Sequence, residues 1–221
     1  MTGEVTYLAL RHHGRDMTER ARRPSESSRV EAFSDGVFSI AITLLVLELA
    51  IPALQGEFQT QLVEEWVSYI AYLAAFATIG VLWMGHHTIF SRIRAVDPGL
   101  MWRNLVLLLT VSLVPFPTAV IASAFRVGTE RDQAAAVVSY AVVGMASGVA
   151  WLLLFSYLRR HRGLLDPETD IHFFRLTEPV ITLVGYGLSA LIGWYVSPPV
   201  ALLIFLVFPI LYVLRVRSAD W

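Results

Sequence analysis

Apolar residues fall along this chain in long runs separated by short charged connections. A helix that crosses a bilayer needs about 20 mainly apolar residues, because the hydrocarbon core is about 30 Å thick and each residue rises about 1.5 Å. The charge-free windows 66–91, 104–125 and 133–158 each supply one such span. The window 179–214 is too long for one span. Trp194-Tyr195-Val196-Ser197-Pro198-Pro199 divides it, since paired prolines favour a turn and Trp and Tyr favour the membrane interface. The earlier of those two helices begins near His172. Residues 30–52 add one more, so the pattern predicts an all-α polytopic membrane protein with six transmembrane helices. Residues 25–217 form one transmembrane domain in this reading, and residues 1–24 a disordered cytoplasmic tail.

Charge placement orients the six spans. The start of the chain carries Arg11, Arg15, Arg20, Arg22, Arg23 and Arg29. The second-to-third connection carries Arg92, Arg94 and Arg103, the fourth-to-fifth Arg159, Arg160, Arg162 and Arg175, and the end Arg215 and Arg217. With six spans all of these fall on one side, and only Arg126 and Arg131 fall on the other. That other side carries Glu57, Glu64, Glu65, Glu130 and Asp132. The positive-inside rule then makes both termini cytoplasmic, and a missed or surplus helix would scramble the alternation.

Composition narrows the class. Of 221 residues, 56% are hydrophobic, which fits an integral membrane protein. No cysteine occurs, so disulfides and thiolate metal sites are excluded. All 17 basic residues are arginine, a bias that points to a GC-rich bacterial genome. Residues 1–28 are polar, without the apolar stretch and small-residue cleavage site of a signal peptide.

The first span is the least lipid-like. Arg29-Val30-Glu31-Ala32-Phe33-Ser34-Asp35 opens it, Ser39 and Thr43 follow, and Glu48 sits near its outer end. Polar groups at membrane depth are costly and need partners. At about 100° per residue, Phe33, Ile40, Leu44, Leu47 and Ile51 share one stripe. Such a stripe is either a helix–helix seam or the lining of a narrow hydrophobic pore that gates by dewetting. Asp35 projects away from it, toward neighbouring helices. Trp83, His86, His87 and Asn104 lie at a matching depth and supply the hydrogen-bond partners an aspartate needs. A polar cluster tying the first three spans together is therefore expected.

Arg29-x-x-x-Phe33-Ser34-Asp35 at the start of the first span resembles the signature of the transmembrane protein 175 family, the endolysosomal potassium channels and their prokaryotic relatives. The similarity extends through Gly36–Pro52, Trp83-x-x-His86-His87, Asn104 and Pro115-Phe116-Pro117. The resemblance implies a homotetramer of six-helix subunits, with two six-helix repeats per chain in animal members. It implies a potassium-preferring cation channel whose first helix lines the pore, without a carbonyl filter. Ile40, Leu44 and Leu47 would form the constriction, with Thr43 related to potassium preference. Glu48 would attract cations at the outer mouth. Arg29, Phe33, Ser34, Asp35, Trp83, His86, His87 and Asn104 would form a structural polar network. No cofactor is expected beyond the permeant K+, and no partner beyond lipid and further copies of the chain; nucleic acid is not among them.

Other readings are weaker. Thr182-Leu183-Val184-Gly185-Tyr186-Gly187 nearly spells a potassium-channel filter, but lies inside a continuous apolar segment where extended backbone has no place. Gly144-x-x-x-Gly148 reads as a close helix contact. His86 and His87 diverge by about 100° on a helix and make a poor chelate. No nucleophile–base pair, phosphate loop or dinucleotide fingerprint supports an enzyme. The runner-up is a proton-coupled secondary transporter using Asp35, Glu48 or the histidines, although inverted repeats and broken helices are not evident.

Overall fold

The computed structural model describes residues 26–49, 63 and 65–217. The tail 1–24 and the acidic residues Glu57 and Glu64 lie outside the described residues. Among the described residues the architecture is helical, with one isolated antiparallel pairing between Ile93 and Leu165. Helix α1 spans Glu26–Leu44 and tightens into a 3-10 turn at Leu45–Glu48. Helix α2 spans Trp66–Phe90, α3 Pro98–Ser112, α4 Pro115–Val127, α5 Glu130–Arg160, α6 Thr177–Tyr195 and α7 Pro198–Arg217.

Local chemistry sets the helix starts. Asp97 caps α3 by accepting the Leu100 N–H at 2.7 Å, and Pro98 occupies the first turn, where its missing N–H costs nothing. Thr129 and Asp132 cap α5 reciprocally. At the start of α2, Glu65 accepts from the Ser68 hydroxyl at 2.8 Å and pairs with Arg126 at 3.3 Å. That ion pair joins two of the charges expected on the outer side.

Five stretches are long and apolar enough to cross a membrane: Ser27–Glu48, Trp66–Phe90, Pro98–Val127, Glu130–Arg160 and Ile171–Tyr195. The remaining expected span falls on α7, a 20-residue helix packed against α2, α5 and α6. The third span differs from its charge-free window. It starts at Pro98, because Arg103 fits within the helix: its Nη1 donates to the Gly99 carbonyl at 2.7 Å, and its guanidinium lies 3.9 Å from the Tyr157 ring centre. It also breaks into α3 and α4 at Leu113–Val114, where Pro115 and Pro117 remove two backbone donors.

Helix α5 is central, in contact with α3, α4, α6 and α7. Helix α1 is peripheral: its principal contacts are with α2, α3 and α4. Two buried apolar clusters fill the bundle. One gathers Phe38, Ala41, Leu45, Ile79, Val137 and Phe205. The other gathers Phe90, Leu100, Leu107, Leu154, Leu158 and Phe174 toward the arginine-rich end. There the two connections meet: the Arg94 N–H donates to the Leu164 carbonyl at 3.0 Å, and Arg92 lies over the Phe173 ring at 4.1 Å.

Candidate functional site

Helix α1 has two faces of opposite character. Ser34, Phe38, Ala41 and Leu45, at i, i+4, i+7 and i+11, are buried against the rest of the bundle. The other face is open. Ile40 is 61% exposed, Leu44 41% and Leu47 74%, and Phe33 and Val46 are exposed with them. Thr43 is also exposed, and its hydroxyl donates to the Ile40 carbonyl at 2.9 Å. Glu48 is half-buried at the end of the 3-10 turn.

The buried face begins in a chain of hydrogen bonds. The Asn104 Nδ2 donates to Ser34 Oγ at 2.9 Å, and Ser34 Oγ donates to the Val30 carbonyl at 2.8 Å. With its amide nitrogen so committed, Asn104 presents Oδ1 to His86 Nε2 at 2.9 Å. The neutral ring then carries its proton on Nε2. His86 is fully buried, stacked 4.1 Å from the Phe90 ring centre and 5.4 Å from that of Phe38. This chain joins α1, α2 and α3.

Two further contacts join α1 to α2. Trp83 Nε1 donates to Asp35 Oδ1 at 2.9 Å, and His87 Nδ1 lies 2.9 Å from Glu31 Oε1. Trp83 and His87 stack with ring centres 6.0 Å apart. Ser34, Asp35, Trp83, His86, His87 and Asn104 are thus brought together at one end of α1. Arg29 and Phe33 are not part of these hydrogen bonds. They line an adjoining recess of about 450 Å³ with Val30, Val96, Met101 and Leu105.

Glu31 is the member that sequence reasoning passes over, although a signal exists. Glu31 and Asp35 are spaced i, i+4 on one helix, and Trp83 and His87 are spaced i, i+4 on the next. In an antiparallel pair the two spacings match, deep partner to deep partner and shallow to shallow. His86 and His87 point to different partners, and no group of three metal-ligating side chains occurs among the described residues.

The filter-like run Thr182–Gly187 lies wholly inside α6. Gly144 and Gly148 are contacts within the chain. A Cβ on Gly144 would stand 2.6 Å from the Tyr186 ring, and one on Gly148 would stand 2.9 Å from Leu183 Cγ.

The model of the family described as endosomal/lysosomal potassium channel TMEM175 matches residues 29–115. A potassium channel of Streptomyces collinus is 41% identical over 80% of this chain and 87% of its own length. The chain belongs to the TMEM175 family. A crystal structure of a lysosomal potassium-selective TMEM175 homolog from Chamaesiphon minutus superposes with a TM-score of 0.71 at 34% identity, covering 87% of this chain and 98% of that one. The endosomal/lysosomal proton channel TMEM175 of Rattus norvegicus is 29% identical over 77% of this chain, which spans 38% of the rat protein.

TMEM175 membership makes the chain a membrane ion-channel protein and not an enzyme. The segment matched by the TMEM175 family model opens at Arg29 and closes at Pro115, so it contains every residue of the hydrogen-bonded cluster.

Proposed function

We propose that the chain is the subunit of a homotetrameric, potassium-preferring cation channel of a bacterial plasma membrane. Each subunit crosses the membrane six times, with both termini in the cytoplasm. Four copies of the first helix surround a central axis, and Ile40, Leu44 and Leu47 form a hydrophobic constriction there instead of a carbonyl filter. Thr43 offers a hydroxyl beside it, and Glu48 draws cations to the outer mouth. Ser34, Asp35, Trp83, His86, His87 and Asn104 brace the helix, with Arg29 and Phe33 beside them.

One observation carries this reading: the stripe Ile40–Leu44–Leu47 is open to the outside while the opposite face of the same helix is packed and hydrogen-bonded. A helix held that way by its own subunit presents large apolar residues to something outside the subunit. The potassium-channel relatives support an ion path as that something.

The test is flux into liposomes holding the purified protein, under opposed potassium and sodium gradients, with Leu44→Ala beside the wild type. Potassium flux exceeding sodium flux, with a larger leak in Leu44→Ala, is the expected result. Unaltered flux in both Leu44→Ala and Ile40→Ala would remove the constriction from these residues. Because the rat relative is named a proton channel, a pH-gradient arm belongs in the same assay. Proton uptake stoichiometrically coupled to a second solute would favour the proton-coupled transporter.

A further inference from the structure

A cavity of about 110 Å³ lies inside the bundle, apart from the polar cluster on α1. Helices α2, α4, α5, α6 and α7 wall it with a mainly apolar and aromatic lining that includes Leu82, Val143, Trp151 and Pro209. Thr78, Tyr140 and Tyr186 also border it, and the Thr78 hydroxyl is in hydrogen-bonding contact with both tyrosines. Ser147 is different. It lines the same cavity and is 4% exposed, yet its hydroxyl has no hydrogen-bond partner among the described residues.

Other buried hydroxyls of this chain find a partner within their own helix. Thr118 and Ser189 each donate to the backbone carbonyl four residues earlier. Ser147, also within a helix, makes no such bond. A buried hydroxyl left unpaired is uncommon and costly. A second polar group comes from α7, where Pro209 sits within the helix and lines the cavity. Proline has no N–H, so the Phe205 carbonyl, which points along the helix at residue 209, loses its donor. Phe205 is buried, with its ring centre 4.7 Å from that of Tyr140 on the cavity wall. Inside a membrane such freed carbonyls are re-satisfied by neighbouring hydroxyls or by ordered water.

We propose that this cavity is a water site, holding about three ordered waters, one hydrogen-bonded to Ser147 Oγ and one donating to the Phe205 carbonyl. The volume suits them, since a water occupies about 30 Å³ in the liquid. It falls short of the apolar cavity of about 150 Å³ that takes up benzene, so size favours water over a ring-sized guest. A wholly apolar cavity of this kind stays dry; Ser147 and the Phe205 carbonyl are the anchors that wet this one. These waters stand inside a single subunit, away from the stripe Ile40, Leu44 and Leu47, so a central ion path does not account for them.

The experiment is a crystal structure of the purified protein at a resolution that shows ordered solvent, repeated on crystals pressurised with xenon, which enters dry apolar cavities. Solvent peaks within hydrogen-bonding distance of Ser147 Oγ and of the Phe205 carbonyl are expected, with no xenon between them. A cavity free of solvent peaks, or filled by xenon in the wild type, overturns the proposal. A Ser147 hydroxyl turned back onto the Val143 carbonyl overturns it as well. Thermal melting in detergent adds a test of sign. Ser147→Ala lowers the melting temperature where the hydroxyl is bonded to water, because a hydrogen bond is lost. It raises the melting temperature where the hydroxyl is buried unpaired, because a desolvation cost is removed. The lowered value is expected, and a raised one overturns the water at Ser147. Both measurements are made without ion flux, so this site stands or falls separately from the channel.

Discussion

The hydrogen bonds from His86 to Asn104, Ser34 and the Val30 carbonyl all run in one direction, each group donating to the next. Asn104 is the middle link and cannot be replaced by a group that only donates or only accepts. Asn104→Ala leaves the buried His86 N–H unpaired, and should destabilise the protein by about 1–2 kcal/mol, read as a lowered melting temperature in detergent. At the membrane surface, burial pushes the Asp97 carboxyl up, but donation from the Leu100 N–H and the Tyr157 hydroxyl, with the charges of His161 and Arg103, holds it below the usual carboxylate range. A lowered folded pKa stabilises fully above the unfolded value of about 3.9, and the contribution drains away as pH falls through the lower folded value. Asp97→Asn should therefore flatten the acid limb of a melting-temperature profile below about pH 4. The sequence locates Trp83, His86 and Asn104 at the depth of Asp35, because all four stand within about three turns of arginine-rich connections. Which of them meets Asp35 depends on how each helix is rotated, and that is set by packing across the bundle.

Helix limits were legible where charges coincide with helix ends and illegible where they do not. Glu65 and Arg92 bracket α2 closely, but Arg103 lies inside α3, its guanidinium spent on the Gly99 carbonyl and the Tyr157 ring. The break at Leu113–Val114 is written in Pro115 and Pro117, yet a count of apolar residues passes over it. The close approach of α5 and α6 is written in Gly144-x-x-x-Gly148, whereas its occupant, the Tyr186 ring, is not. Gly144→Ala drives a methyl into three atoms of that buried ring at 2.6 Å, and Gly148→Ala meets Leu183 Cγ at 2.9 Å and the Pro179 carbonyl at 3.3 Å. Gly144→Ala should cost about 1–3 kcal/mol and Gly148→Ala less, compared by thermal melting of the two purified variants.

At the scale of the whole molecule, α1 stands at the side of a bundle centred on α5, with its apolar stripe uncovered. Gly36 lies on its exposed side, and a Cβ there would meet nothing within 4 Å in the same chain. If four copies close around α1, a large side chain at Gly36 acts between subunits and not within one. Gly36→Leu should then shift native mass spectra from tetramer toward smaller species while the helix content of each chain is unchanged. A tetramer of undiminished abundance would exclude Gly36 from the contact between copies. The sequence anticipates the stripe from its period. It does not show which face the subunit leaves uncovered, since that requires knowing where Phe38, Ala41 and Leu45 are buried.

The matched pairs Asp35–Trp83 and Glu31–His87 sit at one end of α1, whereas the other end is held by the apolar packing of Leu45. Hydrogen bonds fix position and direction, but apolar contact is non-directional. A slide of α1 by one residue, about 1.5 Å, would break both pairs together. Swinging is cheaper than sliding, so the arginine-rich end is a fulcrum. Ile40 stands about 8 Å along the lever from Asp35 and Leu47 about 18 Å, so any tilt moves Leu47 more than twice as far. A tilt about that end would therefore be graded along the stripe, least at Ile40 and greatest at Leu47.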